Sequence, residues 1–180
     1  MGRLGSLDGN TPQVHEEAWV APGAILVGRV TLDRGVSVWY GSVLRADDDE
    51  IIVGADCNIQ DQCCLHVDQG EPAILGERVS LGHRAVVHGA LVGDGALIGI
   101  GAIVLGRAWI GAGSLVAAGT VIRPGQKVPA GVLVAGVPGR VVRDLTDADR
   151  ATFADTPASY RARAAVHREA SWRDLPGDPR

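Results

Sequence analysis

Three of this chain's five histidines, His66, His83 and His88, lie close together in sequence. Three imidazoles around an open fourth position are the ligand set of a catalytic zinc centre, so what matters is whether these three can meet. His66 directly follows Leu65, His88 directly follows Val87, and His83 stands two residues after Leu81. Other groups that could orient a ligand or a water recur at the same offsets. Arg45 follows Leu44, Gln60 follows Ile59, Asp61 comes next, and Asp47 lies two beyond Arg45.

The aliphatic residues before these groups belong to a repeat. Counting in sixes from Val20 gives Leu26, Leu32, Val38 and Leu44. After a three-residue slip the count resumes at Val53, Ile59 and Leu65, and after a four-residue slip at Leu75, Leu81 and Val87. One step is a residue short, and the count then runs Val92, Ile98, Val104, Ile110, Val116, Ile122, Val128 and Val134. Four residues after many of these positions comes a second, mostly small residue, among them Ala24, Ser42, Cys57, Cys63, Ala85, Ala102, Ser114 and Thr120. A period of six fits neither an amphipathic helix nor a simple meander. It fits a solenoid in which each hexapeptide is a short strand and a corner, three to a triangular coil. Stacked coils pair as parallel strands about 4.8 Å apart.

The repeat places the reactive groups. Leu65 and Val87 are three faces apart, so His66 and His88 stack on one side of the prism in successive coils, with Arg45 in the same column. Asp61 stacks below His83 on an adjacent side, with Gln60 on the face just before His66. Two histidines can therefore share a metal within one chain, while His83 points elsewhere and can reach a neighbouring copy. A three-fold ring would close such a split site.

Blander readings accompany each group. A solenoid histidine can be a surface residue, and Arg45–Asp47 can be a plain intersubunit ion pair. Cys57 and Cys63 read as core fillers, and Cys64 as a ligand, a reactive thiol or neither. Asp47–Glu50 reads as a solvated acidic corner, His15 and His167 as surface residues, and Tyr160 as helix packing or pocket lining. Net charge is −4, with no basic stripe for nucleic acid and no apolar run long enough to span a membrane. The N-terminal residues lack signal-peptide character, and three cysteines, an odd number, suit a reducing, cytoplasmic setting. The expected organisation is an N-terminal tail over 1–11, an all-β parallel β-helix domain over 12–142, and a C-terminal α-helix with its tail over 143–180. Thr146 is the expected N-cap and Pro157 a possible break.

Ser37-Val-Trp-Tyr-Gly-Ser-Val-Leu-Arg-Ala-Asp47, Asn58-Ile-Gln-Asp61, Leu65-His66, Gly82-His83 and His88-Gly89 together resemble the γ-class carbonic anhydrase family over about residues 12 to 170. The short bacterial homologues, including carnitine-operon and phenylacetate-operon types, are the most similar. The resemblance implies a left-handed β-helix and a homotrimer with zinc, or iron or cobalt, at each subunit interface. His66 and His88 would match ligands from one chain and His83 the ligand from its neighbour. Gln60 would match the residue that orients water or bicarbonate, Arg45 and Asp47 an ion pair beside the site, and Asp61 a partner behind a ligand. The implied reaction is reversible hydration of carbon dioxide by a metal-bound hydroxide, with no nucleic-acid or membrane partner.

Two departures bear on activity. Asp48 stands where the archetype has glutamate, and the acidic loop that carries a proton-shuttling glutamate is reduced to Val67–Pro72, with Glu71 as its substitute. Fold and metal can thus be intact while hydration is weak or absent. Two other functions share the repeat: a hexapeptide acyltransferase or acyl-CoA thioesterase, and a catalytically silent trimeric metal-binding protein.

Overall fold

The computed structural model describes residues 2–173. Its strands stack into three faces of a prism. One face begins at Arg3–Gly5 and continues through the start of Ile25–Leu32 and of Val43–Val53, then Cys64–His66, Val86–His88, Ile103–Val104 and Val121–Ile122. A second runs from Gln13–Val14 through the ends of the same two long strands to Ala73–Leu75, Leu91–Val92, Trp109–Ile110 and Lys127–Val128. The third stacks Trp19–Val20, Ser37–Val38, Asn58–Ile59, Ser80–Leu81, Leu97–Ile98, Leu115–Val116 and Val132–Ala135. These pairings are parallel, and Arg140–Asp144 closes the third stack antiparallel to Val132–Ala135.

The six-residue count is the core. Leu26, Leu44, Ile59, Leu65, Leu81, Val87, Ile98, Ile110 and Ile122 are all fully buried, as are the small residues of the second register. Val20, in the first coil, is half-buried and packs against the same core. Branched aliphatics fill a narrow prism without polar atoms that would need partners.

The slips in the count are bulges at one corner. The pairing of Ile25–Leu32 with Val43–Val53 passes from Gly28↔Ala46 to Val30↔Ile51, so the acidic residues Asp47, Asp48 and Asp49 bulge out of the ladder. This corner was expected to be a loop; it lies within the continuous strand Val43–Val53, because the flanking residues pair on both faces. Gly28 makes the bend possible: its φ is +78°, and a Cβ there would press on the Ala46 carbonyl. One coil on, the four-residue slip is a tight turn, with Glu71 N–H donating to the Asp68 carbonyl at 2.9 Å.

Segment 1–11, expected as a tail, contributes the strand Arg3–Gly5 to the first coil. The C-terminal helix forms as α1 (Asp147–Phe153) and α2 (Thr156–Arg168). Thr146 caps α1 in a reciprocal capping box with Asp149. The break falls just before Pro157, whose missing N–H cannot continue the helical ladder from Phe153. The tail residues 174–180 lie outside the described residues.

Helix α2 lies on the third face, where Trp19, Ala21, Trp39 and Ala164 are buried together with Tyr40 and Tyr160 against them. His167, expected at the surface, sits in this cluster. Its Nδ1 is 2.7 Å from the Tyr40 hydroxyl, and its ring centroid is 4.9 Å from that of Trp39. The reason is helical spacing: residues 160, 164 and 167 share the face of α2 that meets the prism.

Candidate metal centre

The parallel register sets His88 directly opposite His66 and His66 opposite Arg45. In each strand the inward neighbour, Leu65 or Val87, is fully buried, so the histidine that follows it must face outward. His66 Nδ1 and His88 Nε2 are 3.0 Å apart. The other nitrogen of His66, Nε2, lies 3.0 Å from Asp47 Oδ1, and Asp47 is also paired with Arg45. A carboxylate can only accept, so the Asp47 contact draws the proton to Nε2 and leaves a lone pair on Nδ1 aimed at His88. A neutral His88 donates to that lone pair from Nε2, or presents its own lone pair when a cation takes the proton's place. Two imidazoles so arranged are a donor set suited to a divalent transition metal.

Asp47 is held ionised. Burial works to raise its pKa, but hydrogen bonds from its own backbone N–H, His66 and Arg45 outweigh it and keep the carboxyl below its ordinary value.

Asp68 joins this group. It lies two residues beyond His66 with the buried Val67 between them, so both side chains leave the same side of the chain. Asp68 Oδ2 is 3.8 Å from His88 Nδ1, and donor atoms of His66, Asp68 and His88 lie within 4.8 Å of one another. Sequence reasoning passed over Asp68 because the four-residue slip begins there and the count of six gives it no place. Glu71, considered as a substitute proton shuttle, instead pairs with Arg107 Nε at 3.2 Å and lies over Gly89 and Gly106.

His83 belongs to a separate cluster on the neighbouring side. Its Nδ1 is 2.9 Å from Asp61 Oδ2, and its Nε2 is 3.4 Å from the Tyr160 hydroxyl, carried in by α2. By the same argument Asp61 fixes the proton on Nδ1 and leaves the lone pair on Nε2, where it faces the Tyr160 hydroxyl. Burial, the first cause, and the Asp61 charge raise the Tyr160 pKa against a smaller opposing effect of Arg163, so the phenol stays protonated and able to donate. Gln60 is buried, its amide Nε2 donating to Asn58 Oδ1 at 3.1 Å, and Asn58 in turn donates to Ser80 at 2.7 Å. The chain thus brings Arg45, Asp47, His66 and His88 together with Asp68, and Asp61 with His83 beside Gln60, as two clusters on adjacent sides.

Cys57 and Cys63 are buried as core fillers, and burial pushes both thiols up to about 12. Cys64 is exposed on the outward side of the strand that carries His66.

Comparison with known proteins shows the family. The "Probable carbonic anhydrase" of Methanocaldococcus jannaschii is 43% identical over 141 residues, covering 78% of this chain and 89% of that protein. The chain belongs to the γ-carbonic anhydrase family. Gamma carbonic anhydrase 1, mitochondrial, of Arabidopsis thaliana is 39% identical over 87% of this chain, which spans 59% of the plant protein. The family of bacterial transferase hexapeptide (six repeats) matches residues 89–124. Among solved structures, a hexapeptide transferase family protein of Anaplasma phagocytophilum superposes with a TM-score of 0.88 at 34% identity, over 91% of this chain and 97% of that one. A Bacillus cereus protein provisionally described as an acetyltransferase gives 0.91 at 31% identity, over 92% and 96%. No helix among the described residues is long and apolar enough to cross a membrane.

Proposed function

We propose that the chain hydrates carbon dioxide reversibly at a metal centre shared between copies in a trimer. His66 and His88 of one copy and the partner subunit's His83 hold the metal: zinc, with iron or cobalt as the alternatives. The observation that carries this reading is the split. His66 Nδ1 and His88 Nε2 face each other, while His83 lies on another side with its Nε2 beside the Tyr160 hydroxyl, a contact it exchanges for the neighbour's metal. A heterologous contact of this kind, repeated around a three-fold axis, closes a ring and uses every half-site once. Three free cysteines, two of them in the core, suit a reducing, cytoplasmic compartment.

When bound, the metal would supply Lewis-acid activation, which brings the pKa of water down to about 7. The chain's own residues do the rest. Asp47 and Asp61 each fix the tautomer of one ligand histidine, and hydrogen bonds from its own backbone N–H, His66 and Arg45 keep Asp47 ionised. Gln60, immobilised through Asn58, orients water or bicarbonate from the flank of His83. Glu71 is engaged by Arg107, which favours a slow proton-removal step.

The test is stopped-flow carbon dioxide hydration by protein prepared with zinc and, anaerobically, with iron. Hydration that disappears in His88→Ala, with about one metal per chain in the wild type, is the expected result. Metal binding without hydration would instead leave a silent metal-binding trimer. A second reading, acyl transfer or thioester hydrolysis with coenzyme A, draws on the two transferase-described structures. Acyl-CoA turnover that survives His83→Ala would favour it.

A further inference from the structure

We propose that a single copy of the chain binds a divalent transition metal without its neighbour, through His66, His88 and Asp68. The inference rests on the metal reading above and adds a ligand to it. Asp68 is the third donor of the isolated half-site, and it gives way to the partner's imidazole on assembly.

Three observations carry it. Asp68 shares a side with His66 by strand alternation, and His66 is fixed opposite His88 by register, so all three leave the prism together. Their donor atoms lie within 4.8 Å of one another, whereas His83 sits with Asp61 and Tyr160 on another side. Ligands on one tetrahedral ion at about 2.1 Å stand about 3.4 Å apart. Because Asp68 Oδ2 lies nearest His88 Nδ1 while His88 Nε2 faces His66, a turn of Asp68 together with a rotation of the His88 ring closes the set. That turn is open to it: the Asp68 side chain is 57% exposed, and 3.8 Å from His88 it is held by no strong contact there. The tight turn between Asp68 and Glu71 fixes the backbone beneath it, and Arg107 draws Glu71 away.

Two imidazoles and one carboxylate would leave at least one position of the ion open. A half-site of this kind captures a metal before a second copy arrives, and the open positions are where the incoming imidazole can bind. The shortened corner Val67–Pro72, which departs from the family pattern, has a role on this account: it places Asp68 within reach of both histidines.

The test is cobalt(II) binding, read by visible absorption and by metal retained after desalting, with oligomeric state followed by light scattering. His83→Ala removes the neighbour's ligand and should still bind about one cobalt per chain through the three remaining donors. Adding Asp68→Ala to His83→Ala should weaken binding at least about tenfold, and adding His88→Ala should abolish it. Asp68→Ala alone should bind cobalt in the assembled protein, which also shows that the variant folds. If His83→Ala binds no cobalt where the wild type does, the single-copy site is overturned and the shared site stands. Equal binding by His83→Ala with and without Asp68 overturns it as well. If the wild type binds none, both readings fall.

Discussion

Asp61 lies one coil below His83, and its carboxylate Oδ2 is 2.9 Å from His83 Nδ1. The contact fixes which nitrogen of that ring can leave the chain. An amide at position 61 can offer an N–H to Nδ1 and favour the wrong tautomer. Asp61→Asn should therefore lower zinc affinity about 10- to 100-fold, measured by chelator competition. Because Asp61 is partly exposed, apo-protein stability should change by no more than about 0.5 kcal/mol.

Thr120 tests the core. It occupies the small inward register, is buried, and its Oγ1 has no hydrogen-bond partner among the described residues. Val30, Val36 and Val79 show that the same register accepts valine. Thr120→Val should keep the shape, remove an unpaired hydroxyl and stabilise by about 1 kcal/mol. A rise in the apo-protein's thermal midpoint is the expected readout; a fall would mean that the hydroxyl has a partner.

The buried thiols predict an alkaline limit. Burial raises the folded pKa of Cys57 and Cys63 to about 12, whereas the unfolded thiols ionise at about 8.5. A raised folded pKa gives stability that is full below the unfolded value and is lost as pH climbs through the folded one. Stability should fall between about pH 9 and 12, and fall less in Cys57→Ala with Cys63→Ala than in the wild type. Denaturation midpoints across that range measure it. Thiol reagents should leave both residues unmodified in the folded protein at pH 8.

Most of the fold was legible because the prism is nearly one-dimensional: one inward residue per hexapeptide fixes register, and register fixes which side chains stack. Leu65 and Val87 alone were enough to place His66 against His88. What escaped lay where the count slips. Asp68 and Glu71 sit in the four-residue excursion, and only the corner's geometry turns one toward His88 and the other toward Arg107. The contacts of Tyr160 and His167 depend on how α2 lies across the third face, which no spacing within the repeat encodes.

The central claim is that one site draws ligands from two copies, and mixed trimers test it directly. His83→Ala and His88→Ala should each lack carbon dioxide hydration when produced alone. Co-expressed, they form interfaces in which the first chain supplies His66 and His88 and the second supplies His83, so hydration should return. No recovery in mixed trimers of verified composition, or full activity in either variant alone, would contradict the shared site.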